Sequence, residues 1–137
     1  MAILARLRLS ARLENLVRFI GSLLDCAKAQ GLDREKVSRV ELAAEEALVN
    51  IFRYAYPEAP GDVEMICSSE EGHFAVEIVD SGIPFDPTAM PHPKAVDGVH
   101  EREPGGLGIY FIKKMMDEVR YRRDKDRNIL TLIIQKD

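Results

Sequence analysis

Two glycine-bearing clusters carry the residue types best suited to chemistry. The first is Asp80-Ser81-Gly82-Ile83-Pro84-Phe85, at the end of an apolar stretch; the second, Gly105-Gly106-Leu107-Gly108, opens another. Backbone amides approach a highly charged anion most closely where Cβ atoms are missing, and a helix N-terminus adds a favourable dipole. Gly105, Gly106 and Gly108 meet that requirement for a phosphate. They do not build the phosphate loop that ends in Lys-Ser/Thr, because Ile109-Tyr110 follows Gly108. Nor do they fit the dinucleotide fingerprint, because a loop rather than a strand precedes them. Five of the seven prolines lie from Pro84, inside the first cluster, to Pro104, just before the second, and the stretch has almost no periodic apolar pattern. A loop of that length inside so small a chain is usually functional or disordered. An acid at one end and glycines at the other point to a nucleotide site beneath a cover.

A third group lies upstream. Glu46 and Asn50 are one helical turn apart, hence neighbours, on a segment whose Val37, Val40, Ala44, Ala47, Leu48 and Ile51 form one apolar stripe. Glu46, Asn50 and Arg53 fall on roughly the opposite side. Such a helix either shows a solvated polar face or buries one side on a sheet and offers the other to a ligand.

The elements that must position these groups follow from periodicity. Residues 2–9 alternate as a strand, and Ser10 is a candidate N-cap for a helix through Leu13, Leu16, Val17, Ile20, Leu23, Leu24 and Ala27 that stops at Gly31. Asp33 caps the second helix, with Glu35 at the positive end of its dipole, and Pro57, Pro60 and Gly61 end it. Strands over 62–68 and 73–80 flank a turn at Ser69-Glu70-Glu71-Gly72. Asp80 continues the apolar face of Phe74, Val76 and Ile78, where a carboxylate must find a donor or suffer desolvation. A third helix starts at the glycines. A strand through Val119, Tyr121 and Arg123, a polar turn at Asp124–Asn128 and a last strand from Ile129 to Gln135, containing Thr131, complete the order. The order β-α-α-β-β-loop-α-β-β predicts an α+β fold: a two-layer α/β sandwich with a mixed, mostly antiparallel sheet of about five strands and three helices on one face.

Composition narrows the function classes. At 137 residues the chain is expected to be one domain, 1–137, with a core of ordinary size. A formal charge of -4 argues against broad electrostatic binding to nucleic acid or anionic membrane. No apolar run is long enough to span a bilayer, and the N-terminus, alternating with arginines, lacks the h-region of a signal peptide. Cys26 and Cys67 read as buried free thiols, so the expected location is a reducing cytoplasm.

Together, Glu46-Ala47-Leu48-Val49-Asn50 on a helix, Asp80-Ser81-Gly82-Ile83-Pro84-Phe85 after a strand and Gly105-Gly106-Leu107-Gly108 before a helix resemble the N-box and the two glycine boxes of the histidine-kinase-like (GHKL, Bergerat-fold) ATPases. The compact length and the run from Gly105 to Val119 look most like the anti-sigma factor serine/threonine kinases, and the resemblance covers residues 5 to 136. It implies ATP and Mg²⁺ as cofactors. Asn50 would hold Mg²⁺, a hard ion that keeps several waters. Asp80 would accept a hydrogen bond from the adenine amine, Gly82 would let the backbone pass close to the base, and Thr131 would support the same region. Gly105, Gly106, Leu107 and Gly108 would cradle phosphates, and Glu46 would act as general base on a protein hydroxyl. A lid over about 83–104 would supply a cation to the terminal phosphate, with Arg102 the candidate and Lys94 and His100 the alternatives. The sequence departs from the pattern at Tyr54, where these kinases often have histidine.

The implied function is an ATP-dependent protein serine/threonine kinase that phosphorylates a STAS-type anti-anti-sigma protein and can bind a sigma factor, acting as a homodimer. An ATP-gated protein-binding switch without kinase activity is the alternative; Glu46 favours the kinase, since a pure binder has no need of a base beside the metal. A detached histidine-kinase catalytic domain is disfavoured because none of His73, His92 and His100 lies on a helical stripe.

Overall fold

The computed structural model describes residues 1–85 and 106–136. Five strands form one sheet: β1 (Ala2–Ser10), β2 (Asp62–Glu70), β3 (His73–Asp80), β4 (Glu118–Asp124) and β5 (Arg127–Gln135). Their spatial order is β1-β2-β3-β5-β4. Every pairing is antiparallel, so the α+β sandwich carries no parallel pair among the described residues. Three helices, α1 (Leu16–Ala29), α2 (Arg34–Tyr54) and α3 (Gly106–Met115), supply the second layer.

The two hairpins are tighter than the polar sequence around them suggests. Glu70 pairs with His73, leaving Glu71-Gly72 as a two-residue turn with Gly72 at φ +72°. Asp124 likewise pairs with Arg127, so the turn is Lys125-Asp126, with Lys125 at φ 58°. The polar run Asp124–Asn128 is therefore only partly a turn. Asn128 belongs to β5 and is buried.

Period-two alternation sorts β5 between the two faces of the sheet. Asn128, Leu130, Leu132 and Ile134 sit in register with Asp80, Ile78, Val76 and Phe74 of β3, and all are buried. Against this face pack Phe19 and Leu23 of α1, Val40, Ala44 and Leu48 of α2 and Ile112 of α3. Ala43, Ala44 and Ala47 bring α2 close to the sheet, and each fully buried Leu or Ile contributes roughly 1.5–3 kcal/mol. Cys67 of β2 is wholly buried and shares a hydrogen bond with the half-buried Cys26 of α1. Burial pushes the Cys67 thiol up to about 12, with the neighbouring Cys26 adding to the shift.

Asp33 caps α2 as expected, its carboxylate accepting from the Lys36 N–H at 2.9 Å. Gly31, at φ +80°, closes α1. Ser10 does not cap α1. A 3₁₀ turn, Leu13–Asn15, intervenes, and Asn15 Nδ2 donates to both the Ser10 carbonyl and Oγ at 2.9 Å. Arg39 of α2 ties down the far end of α3: its Nε donates to the Met115 carbonyl at 2.8 Å and its guanidinium lies 3.7 Å from Asp117. A cation at a helix C-terminus complements the dipole there. This link holds α3 along α2, with the glycine end of α3 left at the other end.

Candidate functional site

Asp80 ends β3 with only 4% of its surface exposed, as its place on an apolar face requires. The donors it needs are the Gly82 N–H at 2.9 Å and Asn128 Nδ2 at 3.0 Å, both reaching Oδ1. Burial raises its pKa above the ordinary carboxylate range, and the Asn128 and Gly82 hydrogen bonds and the Arg123 charge offset part of that rise.

Asn128 is the hub of a wider network. Its Nδ2 also donates to the Ile83 carbonyl at 2.8 Å. Its Oδ1 accepts from the Tyr121 hydroxyl at 2.6 Å, Arg123 Nη1 at 3.2 Å and the Phe85 N–H at 3.4 Å. Arg123 Nη1 also donates to the Gly82 carbonyl at 2.9 Å. The segment after β3 is stitched to α2 as well, since the Ile83 N–H donates to the Ala55 carbonyl at 2.9 Å. A Cβ on Gly82 would sit 2.3 Å from that carbonyl oxygen. The missing side chain at Gly82 therefore serves contact with the end of α2. Tyr56 completes the stitching: its hydroxyl donates to the Asp62 carbonyl at 2.6 Å and accepts from the Ser81 N–H at 2.7 Å.

These elements enclose a cavity of ≈ 270 Å³. From α2 and its end come Ala47, Asn50, Ile51, Tyr54 and Ala55; from β3 and the segment after it, Asp80, Ile83 and Phe85. Ile112 of α3 and Tyr121, Asn128 and Leu130 of the last hairpin close the wall. An apolar pocket with a few convergent polar groups is the usual form of a small-molecule site. A flat, largely apolar ligand with a donor directed at Asp80 matches it.

The structure brings Asn50 and Asp80 to one pocket. Glu46 is exposed, one turn before Asn50 and outside the pocket wall. Gly106, Leu107 and Gly108 form the first turn of α3, six residues or about 9 Å of helix rise from Ile112. Gly105, Arg102, Lys94, His100 and all of the expected lid beyond Phe85 lie outside the described residues. Thr131 is the correction. It pairs with Glu77 and Arg120 on the opposite face of the sheet from Asn128 and Leu130, so it does not reach the pocket. The resemblance pointed to the right strand but to a residue on its other face, and Asn128, Tyr121 and Arg123 were not singled out. Two-residue counting back from Leu132 through Leu130 finds Asn128; no such signal marks Arg123.

Among the described residues no group of three or more His, Cys, Asp and Glu side chains could hold a metal by itself. Mg²⁺ bound mainly through substrate phosphates needs only one or two protein oxygens, and Asn50 can supply one.

A buried carboxylate in an apolar pocket, on an antiparallel sheet covered by three helices, defines an α+β domain with a small-molecule pocket. The pattern of the histidine kinase-like ATPase domain matches residues 9–134, and the chain belongs to that family. It is similar to the serine-protein kinase RsbW of Bacillus thuringiensis (strain Al Hakam), at 27% identity over 116 residues covering 81% of this chain and 72% of the relative. The RsbW of Bacillus cereus (strain 03BB102) matches to the same extent. Among solved structures, the crystal structure of the RsbU and RsbW domains of Rv1364c from Mycobacterium tuberculosis shares the fold, with a TM-score of 0.66 at 14% identity. That match covers 97% of this chain and 33% of the other, so the present chain spans a third of its solved neighbour. No helix among the described residues is long and apolar enough to cross a membrane.

Proposed function

We propose that this chain is a single histidine-kinase-like domain, with its ATP lid over about 83–104, that transfers the terminal phosphoryl group of ATP to a serine or threonine of a regulatory protein. The observation that carries the reading is the buried Asp80, held through one carboxylate oxygen and facing the same apolar pocket as Asn50. Oδ2 of Asp80 accepts a hydrogen bond from the adenine amine, and Ile51, Ile83 and Leu130 hold the ring. Asn50 offers its amide oxygen to Mg²⁺, which neutralises phosphate charge when bound. The first turn of α3, with Gly105, Gly106, Leu107 and Gly108, directs N–H groups at the phosphates, and Arg102 from the lid meets the terminal one. Glu46 takes the proton of the attacking hydroxyl as its oxygen bonds to the terminal phosphorus and the bond to the leaving diphosphate oxygen breaks. An exposed Glu46 suits this role, because the hydroxyl arrives on another protein.

The names of the relatives support a serine as acceptor. A STAS-type anti-anti-sigma protein is the proposed substrate, with a sigma factor as a second partner, a homodimer as the working form and the cytoplasm as its place. The placement of Glu46 outside the pocket wall also favours the second reading, an ATP-gated switch that captures a partner without phosphorylating it. Incubation with γ-labelled ATP, Mg²⁺ and the STAS proteins of the same source separates the two. Label on a serine is the expected result; nucleotide-dependent complex formation with no label leaves the switch.

A further inference from the structure

We infer that Asn128 is a positioning residue for base selection: its side-chain amide fixes the orientation of the Asp80 carboxylate and so makes the pocket choose a 6-amino purine over a 6-oxo purine. The inference rests on the reading of Asp80 as the base acceptor.

A carboxylate turns easily about its terminal torsion, so its direction has to be imposed by donors. Asn128 Nδ2 and the Gly82 N–H both hold Oδ1, leaving Oδ2 as the acceptor offered to a ligand. The Asn128 amide is in turn immobilised. Its second N–H is taken by the Ile83 carbonyl, and its oxygen receives the Tyr121 hydroxyl, Arg123 and the Phe85 N–H. Its amide orientation is thereby determined, since Arg123 and the Phe85 N–H can only donate and the Ile83 carbonyl can only accept. A fixed, ionised acceptor attracts the exocyclic amine of adenine and repels the O6 oxygen of guanine. A carboxylate free to turn or to gain a proton can donate to O6 and loses the distinction. The same amide also holds Ile83 and Phe85, two residues of the pocket wall, so one side chain sets both the polar and the apolar limits of the base site.

The test is equilibrium competition of ATP and GTP for the full chain, with far-UV circular dichroism to follow the fold. Asn128→Asp keeps the shape but replaces the donor by an acceptor, and the ATP-to-GTP affinity ratio is expected to fall about tenfold or more. Tyr121→Phe leaves Asn128 in place, removes one bond that orients it, and is expected to lower the ratio by about threefold with the fold intact. Together they keep the inference testable if Asn128→Asp does not fold. A ratio unchanged in the folded variants, while Asp80→Asn abolishes it, overturns the role of Asn128 alone. A ratio that Asp80→Asn leaves unchanged overturns the assignment of Asp80 to the base, and this inference with it.

Discussion

The two ends of the pocket are built in opposite ways. At one end Asp80, 4% exposed, and Asn128, 6% exposed, share a network that ties β3, β4, β5 and the end of α2 together. At the other end Asn50 is half-buried and Glu46 is exposed on one face of α2. Buried polar groups stand only when they are satisfied, so the first end has to be complete before any ligand arrives. Under the proposed function the second end would draw its remaining groups from what binds: phosphate oxygens, Mg²⁺ and the hydroxyl of another protein. On the proposed reading, base recognition would be a property of the fold, and phosphoryl transfer a property of the assembled complex.

Substitutions at the two ends should separate these properties. Asn50→Ala is expected to reduce label transfer by at least about 10³-fold, the scale of removing a charge-neutralising group from phosphoryl transfer, with the fold unchanged by circular dichroism. Glu46→Ala should lower transfer by about 10²–10⁴-fold while ATP affinity stays within about twofold. Normal transfer by the Glu46 variant contradicts the general-base role.

At the base end, function and stability are expected to diverge. Burial raises the Asp80 pKa, so the folded chain holds this proton to higher pH than the unfolded chain does. Its contribution to stability is therefore greatest below the unfolded carboxylate pKa, about 3.9, and is lost as pH rises through the raised folded value. Asp80→Asn removes that loss and can still accept from Gly82 and Asn128. It should melt at or above the parent temperature at pH 7, with the gain fading toward pH 4, while ATP affinity falls about tenfold or more. A variant that melts well below the parent at pH 7 contradicts the desolvation argument. Gly82→Ala tests the packing of this end against α2. Its Cβ would meet the Ala55 carbonyl, and denaturant unfolding should show a loss of about 1–3 kcal/mol.

Legibility in the sequence followed the same division. Asp80 was readable because a carboxylate in phase with Phe74, Val76 and Ile78 violates the alternation that surrounds it. Glu46 and Asn50 were readable as a one-turn pair, and Asp33 as a cap. Asn128 was hidden by its neighbours. Asp124, Lys125, Asp126 and Arg127 are all polar, and a turn read across the whole run absorbs the first buried residue of β5. Thr131, pointed to by the resemblance, stands three residues after Asn128, an odd number, and so on the opposite face of the strand. Ser10 looked like a cap because a 3₁₀ turn leaves no periodic signature in three residues. Local chemistry marked the residues that oppose their surroundings, whereas residues that act through long-range hydrogen bonds required the sheet register.

The most direct measurement is equilibrium titration of the chain with ATP in the presence and absence of Mg²⁺, alongside Asp80→Asn and Asn50→Ala. Saturable binding that Asp80→Asn weakens in both conditions, and that Asn50→Ala weakens only when Mg²⁺ is present, is the expected result. No binding at millimolar ATP, or equal loss from both variants regardless of Mg²⁺, would contradict a preformed base site joined to a metal-dependent phosphate site.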